Sequence, residues 1–324
     1  MQSAVADLRL RMYLTLFLVL AIGFGILFAL LSLLGVSSIG ILVFVVAFFL
    51  VQWYVSPSLL AYAARLKYVS KQEQPKLYSM VSELAEQAKV PMPRIAISPS
   101  REPNAFVFGR TRKSATLVVH QGLLSAVNDE ELRAVLAHEI GHLKHNDVVV
   151  MTFASFIPML AYYLAITFLF GGFSNNRNSG AYAALIGFFA FVVYFLSELL
   201  LYALSRAREA YADAYSAQAT NKPEHLASAL AKITYSLAST KHANSGAIRS
   251  FYIADNLAAG KDAKLLDRYM AEIKKAFPEL DVRRLKEGEA ASPLSFFASL
   301  FLTHPPTYKR ILLLARMKNS GKQE

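Results

Sequence analysis

Charged side chains are absent from three long stretches of this chain: between Arg11 and Arg65, between Asp147 and Arg177, and between Arg177 and Glu198. A helix crossing a bilayer needs about 20 consecutive apolar residues. The sequence predicts four spans, at Met12–Leu34, Ile39–Leu60, Val148–Phe170 and Ala181–Leu204. Buried helices of a large soluble core can look similar. Four near-uniform apolar runs within 324 residues, 55% of them hydrophobic, are too many for that alternative. The first run is too long, and lacks the small-residue cleavage pattern, to be a removed signal peptide. The lipid bilayer is therefore the first partner the sequence implies.

Polar residues set the expected orientation. Arg9 and Arg11 precede the first span, the turn Gly35 to Ser38 is uncharged, and Arg65, Lys67, Lys71 and Lys76 follow the second. Basic residues collect on the cytoplasmic side, so both ends of this hairpin are expected there, in a multi-pass protein of the plasma membrane. The excess of 34 basic over 23 acidic residues then reads as cytoplasmic loops and contact with anionic lipid. No motif interleaves basic and aromatic residues in the manner of a nucleic-acid binder, and nucleic acid is not an expected partner. Absence of cysteine excludes disulfides and thiolate metal ligands. Four parts are expected: a transmembrane hairpin over 1–64, a cytoplasmic segment over 65–147, a second hairpin over 148–204 and a second cytoplasmic segment over 205–324.

The chemistry centres on the stretch Ala134 to His145. Asn128 followed by Glu131 reads as a capping box that opens a helix, and Lys144 and His145 suit its end. On that helix His138 and His142, four apart, share a face with Glu139 beside them. Hydrolytic zinc sites take three protein ligands, keep a fourth position for water, and use a neighbouring carboxylate to carry its proton. Two histidines and a glutamate at this spacing also occur by accident, so a third ligand is required. The extended motif with a histidine six residues after the second is excluded by Val148, and His145 comes only three residues on.

Beyond the second hairpin, Glu209 and Asp213 are four apart on a predicted helix. One of the two carboxylates is placed to bind the metal and the other to orient a ligand imidazole. Two spans separate His142 from this pair, and an even number of crossings returns the chain to the same side. Between Arg65 and Asp147 the pattern predicts a helix over Gln74–Ala88 and strands at Arg94–Ile97 and Thr116–Val119. The stretch from Ala105 alternates like a half-buried strand, and an exposed strand edge can also pair with an extended substrate backbone. Residues Tyr308 to Lys318 form a cationic amphipathic run suited to the bilayer surface. Judged alone, His304 before two prolines is a loop histidine, and His120, His225 and His242 are surface or local hydrogen-bonding groups. Glu198, near the cytoplasmic end of its span, snorkels toward the interface.

Three segments together, His138-Glu139-Ile140-Gly141-His142, Arg208-Glu209-Ala210-Tyr211-Ala212-Asp213 and Thr303-His304-Pro305-Pro306, resemble membrane zinc metalloproteases of the HtpX type, which are related to CAAX prenyl proteases. The resemblance extends over nearly the whole chain. It implies one Zn2+ held by His138, His142 and Glu209, with Glu139 as catalytic base and Asp213 behind the ligands. It also implies that Arg310 pairs with that acidic residue, that His304 helps to stabilise the oxyanion, and that the strand Asn104, Ala105, Phe106 receives substrate backbone.

The expected fold class is mainly α with a small β-sheet: four transmembrane helices plus a cytoplasmic zincin-like metallopeptidase domain. The expected function is a membrane-integral zinc endopeptidase acting on misfolded membrane or cytoplasmic proteins in quality control and stress response. CAAX-type prenyl-peptide processing is the enzymatic alternative; the CAAX enzymes have more spans than the four expected here. An inactive zinc-binding scaffold is the alternative of another class, and a purely structural site would prefer four protein ligands and need no base such as Glu139.

Overall fold

The computed structural model describes residues 37–170, 177–239, 259–278, 280 and 304–320. The expected first span and His242 lie outside them. Two compact units divide the described residues. One contains the helical segments up to Tyr54 and from Met151 to Tyr202; the other contains Val55–Val150 and the described residues from Ala203 onward.

The first unit is built from parts of three helices, α1 (Ser38–Ala63), α5 (Asp147–Phe170) and α6 (Arg177–Thr220), whose remaining turns belong to the second. Each contains a segment long and apolar enough to cross a membrane, with mean hydropathy between 1.9 and 2.3. Their contacts are aromatic and aliphatic: Phe49 meets Phe156 edge-on, Tyr162 lies against Tyr194, and Ile41, Val45 and Tyr163 form a small buried cluster. Most of the apolar surface faces outward, including Phe48, Val51, Phe153, Phe188, Phe189 and Leu200. A helix that is apolar all round and unburied by protein belongs in lipid.

The second unit holds a sheet of β1 (Lys67–Tyr68), β2 (Arg94–Ser98), β3 (Ala105–Phe108) and β4 (Thr116–His120), in the order β1-β2-β4-β3. β2 and β4 are parallel, and the other two pairings are antiparallel. β3 is thus an edge strand. One face of the sheet meets the end of α1 through Phe106, Phe108 and Val118 against Leu60, Ala61 and Leu66. Ala105, Val107, Leu117 and Val119 face the main core. That core is shared by α2 (Pro75–Ala88), α3 (Gln121–Ala126), α4 (Asp129–Lys144), α7 (Pro223–Ser239), α8 (Ala259–Ala276) and α9 (Thr307–Ser320).

α4 carries the histidine motif and is buried on nearly all sides, packed against α2, α7 and β3. The capping box forms as expected: Glu131 N–H donates to Asn128 Oδ1 at 2.9 Å, and Asn128 N–H donates to Glu131 Oε2 at 2.8 Å. Ser228 Oγ and Lys232 Nζ on α7 also bind the Glu131 carboxylate, at 2.6 and 2.7 Å. His145 is the C-cap of α4. One residue then breaks the helix, Asn146 at φ 60, a left-handed conformation that asparagine tolerates. α5 begins at once, which returns Asp147 toward the preceding turn of α4.

α6 runs unbroken for 44 residues and so enters the core without a boundary at its apolar end. There it lies very close to α4: Ser216 Oγ donates to Ala134 O at 2.6 Å, and a Cβ on Gly141 would stand 3.3 Å from Ala212 Cα. The amphipathic run Tyr308–Lys318 departs from the expectation of a bilayer-surface helix. As α9 it packs on α7 and α8, with Ile311, Leu314 and Ala315 buried. An apolar helical stripe specifies burial but not what buries it. Asp262 of α8 anchors the start of α9 by accepting from Thr307 N–H at 3.2 Å.

Candidate metal centre

α4 and α6 bring His138, His142 and Glu209 together, with ligand atoms all within 4.8 Å of one another. The two Nε2 atoms are 3.1 Å apart. His138 Nε2 stands 3.7 Å from Glu209 Oε2, and His142 Nε2 stands 3.5 Å from Glu209 Oε1. Four-coordinate zinc with bonds of about 2.0–2.1 Å separates its ligands by about 3.3 Å, so these spacings suit one shared ion.

The surrounding hydrogen bonds point the same way. His142 Nδ1 donates to Asp147 Oδ2 at 2.5 Å, since a carboxylate only accepts. His138 Nδ1 stands 3.0 Å from Asp213 Oδ1, off the ideal hydrogen-bond axis. With both Nδ1 atoms directed at carboxylates, the two Nε2 atoms face each other, an arrangement that calls for a proton or a metal cation between them. Glu209 Oε2 is buried and accepts no well-aligned hydrogen bond, although Arg310 Nη1 lies 3.2 Å away. The residues fit a metal ion of the zinc type.

Electrostatics set the protonation of each group. Burial pushes His138 below its ordinary pKa, against the pull of Asp213, and so favours the neutral imidazole a metal needs. For His142, burial works against charge, but Asp147, Glu209 and Glu139 outweigh it and move the pKa up to about 10. A positive charge is thus favoured where the donor atoms converge. Glu139 is 3% exposed, and burial raises its carboxyl to about 8, with His142 opposing.

Arg310 reaches in from α9 and makes a two-pronged contact with Asp213, Nε to Oδ2 at 2.9 Å and Nη2 to Oδ1 at 2.7 Å. Its buried charge holds Asp213 behind His138. His304, just before α9, places Nδ1 3.4 Å from Glu209 Oε1. The structure therefore brings His138, Glu139, His142, Glu209, Asp213, His304 and Arg310 into one cluster. It also adds two residues that the sequence reading missed. Asp147 holds the outer nitrogen of His142 and is itself held by Arg208 Nη2 at 2.9 Å. The available signal was a carboxylate standing at the start of an apolar run, immediately after the motif.

β3 lies beside this cluster. Asn104 O accepts from His120 N–H at 2.9 Å. In an antiparallel ladder the hydrogen-bonded pairs alternate, so Asn104 and Phe106 direct their main-chain groups to β4 while Ala105 and Val107 direct theirs to the free edge. Consistently, Val107 N–H bonds to the Glu139 carboxylate. His120 is buried, with Nδ1 3.0 Å from the Glu102 carbonyl. His225 faces Glu130 at 3.7 Å, away from the ligands.

Known proteins are similar in sequence to this chain over most of its length. A "Protease HtpX homolog" of Methanothermobacter thermautotrophicus is 39% identical over 233 residues, covering 71% of this chain and 87% of the relative. One from Moorella thermoacetica is 37% identical over 86% of this chain and 97% of its own length. A "Protease HtpX homolog 2" of Methanosarcina acetivorans is 35% identical over 95% and 94%. Among solved structures, that of S. mikatae Ste24p superposes with a TM-score of 0.52 at 19% identity, covering 93% of this chain and 64% of that longer one, a likeness of fold. The sequence profile of peptidase family M48 matches residues 71–318, and the chain belongs to that family.

Proposed function

We infer that this metallopeptidase is a membrane-integral zinc endopeptidase whose active site faces the cytoplasm of a plasma-membrane protein. The observation that carries the reading is the convergence of two imidazole Nε2 atoms and one carboxylate beside the buried Glu139. His138, His142 and Glu209 would hold the ion, one per chain. Zinc bound there supplies Lewis-acid polarisation of a carbonyl and acidifies a water.

The chain's own groups do the rest. Glu139, raised to about 8, has a proton affinity near working pH, which suits a group that takes a proton from water and gives it to the leaving amine. Val107 N–H fixes its orientation. Asp213 with Arg310, and Asp147 with Arg208, hold the two imidazoles so that Nε2 faces inward. His304 is assigned to oxyanion stabilisation from beside Glu209. Substrate backbone adds to the free edge of the strand Asn104, Ala105, Phe106 and onward, where the main-chain groups of Ala105 and the carbonyl of Val107 face outward. Main-chain pairing asks little of side chains, which suits substrates of varied sequence: misfolded membrane proteins or their cytoplasmic segments. The cytoplasmic orientation rests on the basic residues flanking the first hairpin, and the four-part division of the chain, with its first span at Met12–Leu34, belongs to the same reading.

Replacing Glu139 by Gln tests the assignment in the purified membrane protein. Zinc content should be unchanged and casein cleavage should fall about 100-fold or more. Cleavage at the parent rate would remove Glu139 as the base. Cleavage of a farnesylated C-terminal peptide in preference to casein would instead favour prenyl-peptide processing.

A further inference from the structure

A cavity of about 260 Å³ opens on the second unit, away from the metal ligands. Its apolar lining includes Phe108 with Pro57 and Ala61 from the last two turns of α1. Its polar lining includes Ser58, Tyr68, Arg94 and Arg110. The Arg94 guanidinium lies 4.9 Å from the Tyr68 ring centre, which holds it in place. No acidic side chain lines the cavity, and the adjoining loop Arg110-Thr111-Arg112-Lys113 adds basic charge.

The wall formed by α1 determines the class of ligand. The segment of that helix able to cross a membrane, Ile39–Ala63, includes Pro57, Ser58 and Ala61 in its last two turns. A cavity at the end of such a span lies at headgroup depth. Two arginines and a serine in its lining suit a phosphate, and its apolar side chains suit the glycerol backbone and the first acyl carbons. We propose that this cavity binds the phosphodiester headgroup of an anionic phospholipid. The site tethers the sheet to the membrane surface through β1, β2 and β3. It is independent of the peptidase reading, because none of its residues belongs to the metal cluster.

The chain's single tryptophan, Trp53, stands four residues before Pro57 on the same helix and provides a local probe. The full chain is reconstituted in phosphatidylcholine bilayers, and Trp53 quenching by brominated phosphatidylglycerol is compared with quenching by brominated phosphatidylcholine. The parent should show a preference of about 25-fold for phosphatidylglycerol. Arg94→Gln with Arg110→Gln should abolish it, each arginine contributing about five-fold. Ser58→Phe fills the opening without changing charge and should abolish it too. Lys89→Gln with Arg133→Gln removes two charges elsewhere and should leave it intact. An unchanged thermal unfolding midpoint across all variants reports that each is folded.

An equal loss in the Lys89 and Arg133 variant would reduce the preference to general surface charge and overturn the site. So would a preference that survives Ser58→Phe. Loss of the preference on adding millimolar inorganic phosphate would identify a free-anion site rather than a lipid one. Loss on adding a soluble acidic peptide would identify a peptide subsite beside β3. Either result would refute the proposal.

Discussion

Asp147 allows a sharp test of how the metal ligands are held. Its carboxylate is buried, accepts from His142 Nδ1 at 2.5 Å and is held by Arg208 at 2.9 Å. A hydrogen bond to a charged group is worth about 1.5–3 kcal/mol, against about 1 kcal/mol for a neutral one. Asp147→Asn keeps an acceptor oxygen for Nδ1 but removes the charge, so about 1–1.5 kcal/mol of imidazole orientation and basicity is lost. That corresponds to a zinc dissociation constant about ten-fold higher. Asp147→Ala removes the acceptor altogether, and the loss of about 2–3 kcal/mol raises the constant about 100-fold. Both values lie within the range found for groups one shell behind a metal ligand. Competition against a calibrated chelator, with the protein in detergent, measures the constant directly. Unchanged zinc affinity in Asp147→Ala would mean that His142 does not bind through Nε2, and the ligand assignment would fall with it.

Three further outcomes follow from other parts of the structure. Gly141 sits where α4 meets α6, and a Cβ there would be 3.1 Å from Tyr215 Cδ1. Gly141→Ala should be nearly neutral, whereas Gly141→Val should cost about 1–3 kcal/mol and weaken zinc binding, read from the unfolding midpoint and the metal content; a fully loaded valine variant would refute this. Metal binding must expel the proton held on His142 below about 10. Zinc affinity should therefore rise with pH, with a logarithmic slope of about one below pH 10, and a flat profile would contradict this protonation state. For Glu131, burial alone would raise the carboxyl, but Lys232, Ser228 and the Asn128 N–H hold it below 4.5. Its stabilising contribution is therefore present above about pH 4.5 and lost as pH falls through the folded-state value. Glu131→Gln should lower stability by about 1–2 kcal/mol at neutral pH, with the gap to the parent closing in acid; a constant gap would argue against the charged pair.

Local chemistry made much of this legible in the sequence. Asn128 and Glu131 announced the start of α4, and the helical repeat placed His138 and His142 on one face. Counting two crossings put Glu209 within reach of them. Strands β2 and β4 followed from their β-branched runs. What stayed hidden depends on partners distant in the chain. The order β1-β2-β4-β3 is a matter of non-local pairing, which no local pattern encodes. Asp147 was masked because it opens an apolar run and reads as the edge of a span. Its role depends on Asn146 turning the chain back by a single left-handed residue. The helix α9 carries a stripe equally suited to lipid and to protein, and only the packing against α7 and α8 decides between them.

The donors that converge here are widely separated along the polypeptide, and Arg310 comes 97 residues after Asp213. Synthesis runs from the amino end, so the imidazoles and Glu139 emerge long before the carboxylate that completes the set, and the guanidinium that neutralises the pocket emerges later still. A ribosome-bound fragment thus owns a fragmentary catalyst. The set is complete only after the chain has been made as far as Arg310, so a shorter nascent fragment lacks part of the machinery that cuts.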